Sequence, residues 1–152
     1  MTNTPKQNVS VITVGVPDVA GSRAFYIEKL GWTPALDLPE ILFLQVNHGL
    51  LLALWGRADL AADLGRPVAP DAAAGTAPVM TLSTNVDSPA EVDAAVAAFE
   101  AAGGTVVKPA QDAAFGGYHG VVGDPDGLMW EIAFNPGLTV DDDGRVRIVE
   151  IT

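Results

Sequence analysis

The chain contains no cysteine, which excludes disulfides, thiolate metal sites and a cysteine nucleophile. Positive charge is scarce too: 8 Lys and Arg stand against 19 Asp and Glu, a formal net charge of -11. A field of that sign repels polyanions, so neither nucleic acid nor an anionic membrane surface is expected as a partner. No apolar run approaches the roughly 18 residues of a membrane span, and the start, "MTNTPKQNVS", is polar and lacks the apolar segment of a secretion signal. A cytoplasmic protein is expected. Phosphate loops, the GxSxG nucleophile elbow and the HExxH zinc motif are all missing.

What is present is enough for one folded domain. Hydrophobic residues make up 49% of 152 and charged residues 18%, so a core can form. "VSVITVGV" reads as a strand, Asp18 caps a helix over "VAGSRAFYIEKL", and Gly31 ends it. "WTPALDL", "EILFLQV" and "LLLALW" follow as strands separated by "PE" and "NHG" turns. The order then starts again. "PVMTLSTNV" is a strand, and Ser88-Pro89-Ala90-Glu91 opens a helix as a capping box with proline in its first turn. Val92, Ala95, Val96 and Phe99 form its apolar stripe, and Gly103-Gly104 ends it. "TVVKP", "YHGVVG" and "LMWEIAF" complete the second set, with "DPDG" as a tight turn.

The reading is therefore α+β: two tandem βαβββ modules in a single domain of residues 1–152. Module one covers 9–56, a loop 57–77, module two 78–136 and a C-terminal tail 137–152. The Ala-, Gly- and Pro-rich loop reads equally as a lid or a disordered spacer, and Asp143-Gly144 can turn a terminal hairpin.

With "VITVGVPDVAGSRAFYIEKLGW" and "FGGYHGVVGDPDGLMWEIAFNP" quoted together, the chain resembles the vicinal oxygen chelate superfamily of glyoxalases, bleomycin and fosfomycin resistance proteins and extradiol dioxygenases. The resemblance runs from Val9 to Pro136. It implies modules that curl around a shared cavity, a homodimer, and, in metal-using members, one ligand from the first and last strand of each module. Those positions fall on Val11, Ala53, Thr81 and Glu131, of which only Glu131 is a carboxylate. A divalent ion needs about three or more protein donors, so no cofactor and no divalent metal is expected.

Strand alternation places Val11, Thr13, Ala53, Trp55, Thr81, Ser83, Asn85, His119, Val121 and Glu131 toward the cavity as candidate ligand-binding residues, if the family's curl holds. His119 and Glu131 are the candidate catalytic pair: imidazole titrates near neutral pH and a carboxylate can orient it. The plainer alternatives are a hydrogen-bonded strand histidine and a carboxylate satisfied by Thr81, Ser83 or His119, with its pKa raised by an apolar cleft. Three functions stay open. One is metal-free binding of a small molecule, cationic or aromatic in keeping with the acidic chain. Another is a lyase- or isomerase-type enzyme using His119 and Glu131 or an atypical metal site. The last is an interaction module with an empty cleft.

Overall fold

A computed structural model describes residues 5–151. The chain divides into two compact units, one formed by Gly31–Ala69 with the chain before Glu28, the other by the chain from Pro70 onward with Glu28–Leu30.

In the first unit β1 (Val11–Val16) leads to α1 (Val19–Arg23), capped by the Asp18 carboxylate on the Ala20 N–H and continued by a π-helical stretch, Ala24–Lys29. Phe25 and Tyr26 in that stretch are buried, as their apolar bulk requires. Next come β2 (Pro34–Asp37), β3 (Ile41–Asn47) and β4 (Leu50–Gly56), in the sheet order β1-β4-β3-β2. β1 runs parallel to β4 and the other pairs are antiparallel. Leu42, Leu44, Leu52 and Leu54 alternate inward and form the core of this unit.

The second unit repeats the plan. β5 (Leu82–Asn85), α3 (Pro89–Ala101), β6 (Thr105–Asp112), β7 (Tyr118–Gly123) and β8 (Met129–Phe134) give the order β5-β8-β7-β6, again with the first and last strands parallel. The same backbone devices recur: Gly31 and Gly103 after the helices, and Gly49 and Gly127 before the last strands, all take positive φ, at 73°, 102°, 68° and 89°. In "DPDG" the buried Asp124 carboxylate accepts the N–H groups of Asp126 and Leu128, both at 2.9 Å, and fixes where β8 begins.

At the start of α3 the Glu91 N–H donates to Ser88 Oγ at 3.3 Å, and the Asp87 N–H donates back to the Glu91 carboxylate at 3.0 Å. Ser88→Ala is expected to lower the unfolding free energy by about 1 kcal/mol, read from urea midpoints. Val92, Val96 and Phe99 then bury the helix against the sheet, with Phe99 and Trp130 ring centroids 6.2 Å apart.

Three boundaries differ from the sequence reading. Residues 57–77 are not wholly a loop, because "RADLAADL" forms α2 (Arg57–Leu64), ended by Gly65 in the left-handed conformation at φ 62°. Arg, Ala and Leu are strong helix formers, and the Gly and Pro of the segment lie outside these eight residues. The strand expected over "PVMTLSTNV" narrows to β5, since its partner β8 starts at Met129, in register with Thr81, and offers nothing for residues before that to pair with. "TVVKP" extends to Asp112 and carries irregularities of register on both sides of Lys108. The tail does close a hairpin, β9 (Leu138–Val140) on β10 (Val146–Ile148), through the turn at Gly144.

Candidate functional site

Each face of the second sheet has a distinct job. A Cβ placed on Gly120 would meet Val96 Cγ2 at 2.9 Å, so the even-numbered side of β7 lies against α3. Val122, Trp130 and Ile132 share that packed side and are buried. The opposite face collects the polar groups. Ser83, Glu131, Val121 and Lys108 are register neighbours across the four strands, and Asn85, Ala133, His119 and Gln111 form the next row.

Side-chain bonds on this face form one chain. Lys108 Nζ lies 2.9 Å from His119 Nε2, and His119 Nδ1 lies 2.7 Å from Glu131 Oε1. Ser83 Oγ donates to Glu131 Oε2 at 2.9 Å. An ammonium can only donate, so His119 Nε2 accepts and the ring proton sits on Nδ1, pointing at the carboxylate. The order is thus ammonium, neutral imidazole, carboxylate, hydroxyl. Phe115 sets its ring edge-on to His119 at 5.5 Å, and the imidazole side chain is only 12% exposed against 30% for Glu131.

Burial pushes the Glu131 carboxyl up, but hydrogen bonds from His119 and Ser83, and the positive charge at Lys108, outweigh it. The net result is a pKa below the usual glutamate value, opposite to the rise expected from an apolar cleft. Because the native value lies below the unfolded one, the network adds stability that is complete above the unfolded glutamate's pKa. That stability disappears as pH falls through the lowered native value. Glu131→Gln is accordingly expected to flatten the acid limb of a stability–pH curve by lowering stability at neutral pH while leaving the acid end little changed.

Lys108 is the functional group that strand alternation misses. Val106 pairs with Val122, so regular alternation would set Lys108 opposite Gly120 on the α3 side. One extra residue in β6 instead sets Lys108 opposite Val121, which turns it onto the face of His119 and Glu131. Pro109, which cannot donate to a ladder, marks the irregularity in the sequence.

The remaining sequence-derived positions are distributed more loosely. Thr81 precedes β5 and makes none of the bonds to Glu131, a role that Ser83 takes. In the first sheet, Thr13 pairs with Ala53, Gly15 with Trp55, and Val11 with Leu51. Ala53 is buried, Val11 is exposed, and the Trp55 indole N–H is buried without an acceptor. α2 lies over the Gly15 end of that face: Leu60 Cδ2 would be 3.2 Å from a Cβ at Gly15. His48 stays exposed at its turn. A concavity of about 610 Å³ opens beside Asp18, Glu40 and Asp59 in the first unit. It is shallow, and the Asp18 carboxylate already caps α1, so the bonded chain around His119 is the better candidate site.

Residues 8–132 match the family model of the glyoxalase/bleomycin resistance protein/dioxygenase superfamily. The chain belongs to this superfamily. No curated protein matches it in sequence. Among solved structures, a glyoxalase-related enzyme from Fulvimarina pelagi is 40% identical with a TM-score of 0.80, over 95% of this chain and 99% of that one. A glyoxalase/bleomycin resistance protein/dioxygenase from Nocardioides is 23% identical, TM-score 0.72, over 89% of each chain. A lactoylglutathione lyase from Agrobacterium tumefaciens is 21% identical, TM-score 0.61, over 87% and 96%. The last two share the fold.

Where the resemblance sets metal ligands the chain carries Val11, Ala53, Thr81 and Glu131, and both oxygens of Glu131 are already engaged. Among the described residues, no three His, Asp or Glu side chains converge as a metal would require. The residues do not fit a divalent ion held in the family's manner.

Proposed function

We propose that the Ser83–Glu131–His119–Lys108 face of this superfamily member binds a small organic molecule and does so without a metal ion. One observation carries the reading: Glu131, at the single retained ligand position, has Oε1 on His119 and Oε2 on Ser83. Those bonds occupy the carboxylate with protein donors and leave a preorganised polar row on an open sheet face. Family resemblance supports a homodimer in the cytoplasm as the working form, which sedimentation of the purified protein checks by giving twice the chain mass. Isothermal titration of chelator-stripped protein against a small-molecule panel is the test of binding. Saturable heat that survives stripping supports the proposal; heat that vanishes on stripping and returns with zinc overturns it.

A second reading is favoured by the His119–Glu131 contact at 2.7 Å and by the 40% identical Fulvimarina protein being described as a glyoxalase-related enzyme. In it the pair moves a proton on a carbonyl or epoxide-like substrate, as a small lyase or isomerase. Full turnover by a His119→Ala, Glu131→Gln double variant would remove that reading. The net charge favours a cationic or aromatic ligand, but the charge that meets a ligand first is local.

A further inference from the structure

We propose that Lys108 selects a ligand bearing a carboxylate, and that this ligand takes the ammonium's hydrogen bond away from His119 and leaves Nε2 open as a base. The inference rests on the reading of this face as the ligand site and names its ligand class. Lys108 is the only Lys or Arg in the four strands of the second sheet, within a chain whose 8 basic residues are outnumbered by 19 acidic ones. Register irregularities on both sides of it turn it onto the polar face, where strand alternation alone would have set it toward α3. Such irregularities often re-aim a side chain beside a working site.

The ammonium has three N–H bonds, and only one is directed at His119. Lys108 is exposed, so the other two point to solvent on the ligand side. Glu131, the anion of the row, is bonded through both oxygens to His119 and Ser83. A cationic ligand approaching this row meets an ammonium of like charge and a carboxylate that already accepts one bond on each oxygen from the protein. A carboxylate ligand meets the reverse. It is also a stronger acceptor for an ammonium than neutral imidazole is, because charge-assisted bonds are the stronger class.

Once the ligand holds Lys108, His119 keeps its Nδ1–H on Glu131 and presents the Nε2 lone pair beside the bound molecule. Any proton that Nε2 then accepts leaves an imidazolium facing the Glu131 carboxylate, which stabilises it. Lys108 is therefore the residue that reads the ligand's charge, and it also masks the base while the site is empty. Masking and recognition are one hydrogen bond used in turn.

The test uses imidazole ¹⁵N spectra of chelator-stripped protein titrated with benzoate, benzamide and benzylamine, which share a ring and differ in charge. Benzoate is expected to shift His119 Nε2 saturably and Nδ1 little, with benzamide and benzylamine weaker by roughly tenfold or more. Lys108→Met should weaken the benzoate response at least about tenfold, and Lys108→Arg should retain it, since either cation pairs with a carboxylate. Equal responses to the three probes, an unaltered response in Lys108→Met, or no response to benzoate would each overturn the inference. If benzylamine or benzamide shifts His119 where benzoate does not, the ligand-site reading stands and only anion selection falls. If a wider fragment set leaves every signal of this face unmoved, both fall together.

Discussion

Replacing Ile132 with alanine is expected to lower the unfolding free energy by about 2–5 kcal/mol. Ile132 is completely buried and stands on the α3 side of β8. Its register neighbour on β7 is Gly120, which has no side chain to move into the space left behind. The cavity therefore persists, and the larger end of the range applies. At about 2–4 °C per kcal/mol for a chain of this size, melting falls by on the order of 10 °C. Calorimetry checks it. A loss within about 0.5 kcal/mol, the size of an ordinary surface change, would mean that α3 does not pack over Ile132. The adjacent Glu131→Gln change should lower neutral-pH melting by much less, because consecutive strand residues serve opposite faces and Glu131 lies outside the core.

The largest functional effect is expected at His119. His119→Ala removes the group that joins Lys108 to Glu131, leaving the carboxylate with Ser83 alone and the ammonium without its acceptor. With the base gone and the row no longer held in order, ligand affinity should fall on the order of 30- to 100-fold. Melting should fall as well, because the bonds lost to Glu131 and Lys108 are made within the folded protein. Titration calorimetry against any ligand found for the wild type measures it. An unchanged affinity would place the binding site elsewhere.

Most of the architecture was legible in the sequence because it is written twice. Asp18 and Ser88 cap α1 and α3, Gly31 and Gly103 follow the helical segments, and Gly49 and Gly127 precede the last strand of each module. Each is a backbone requirement that only certain residues meet, so it survives as a readable sign. The His119–Glu131–Ser83 contacts were legible for a related reason: parity along regular strands assigns faces without any knowledge of tertiary packing. Lys108 was not, because a single inserted residue inverts parity and leaves only Pro109 as a trace. α2 was obscured by its surroundings, a short run of helix formers inside a segment whose average composition suggests a loop. The sign of the Glu131 shift also escaped the sequence reading. Burial could be foreseen there, but the sum of two hydrogen bonds and a nearby cation depends on distances.

The family relation raises the question of whether this chain holds a metal. Three of the four positions at which metal-using relatives place ligands hold Val11, Ala53 and Thr81, and the fourth, Glu131, is bonded to its own neighbours. A zinc titration of chelator-stripped protein, followed by the imidazole ¹⁵N signals of His119, addresses this most directly. His119 is expected to keep a protonated Nδ1 and an accepting Nε2, with no saturable change as zinc is added. A stoichiometric shift of either nitrogen with release of a proton would contradict it, and would mean that Glu131 and His119 hold a metal after all.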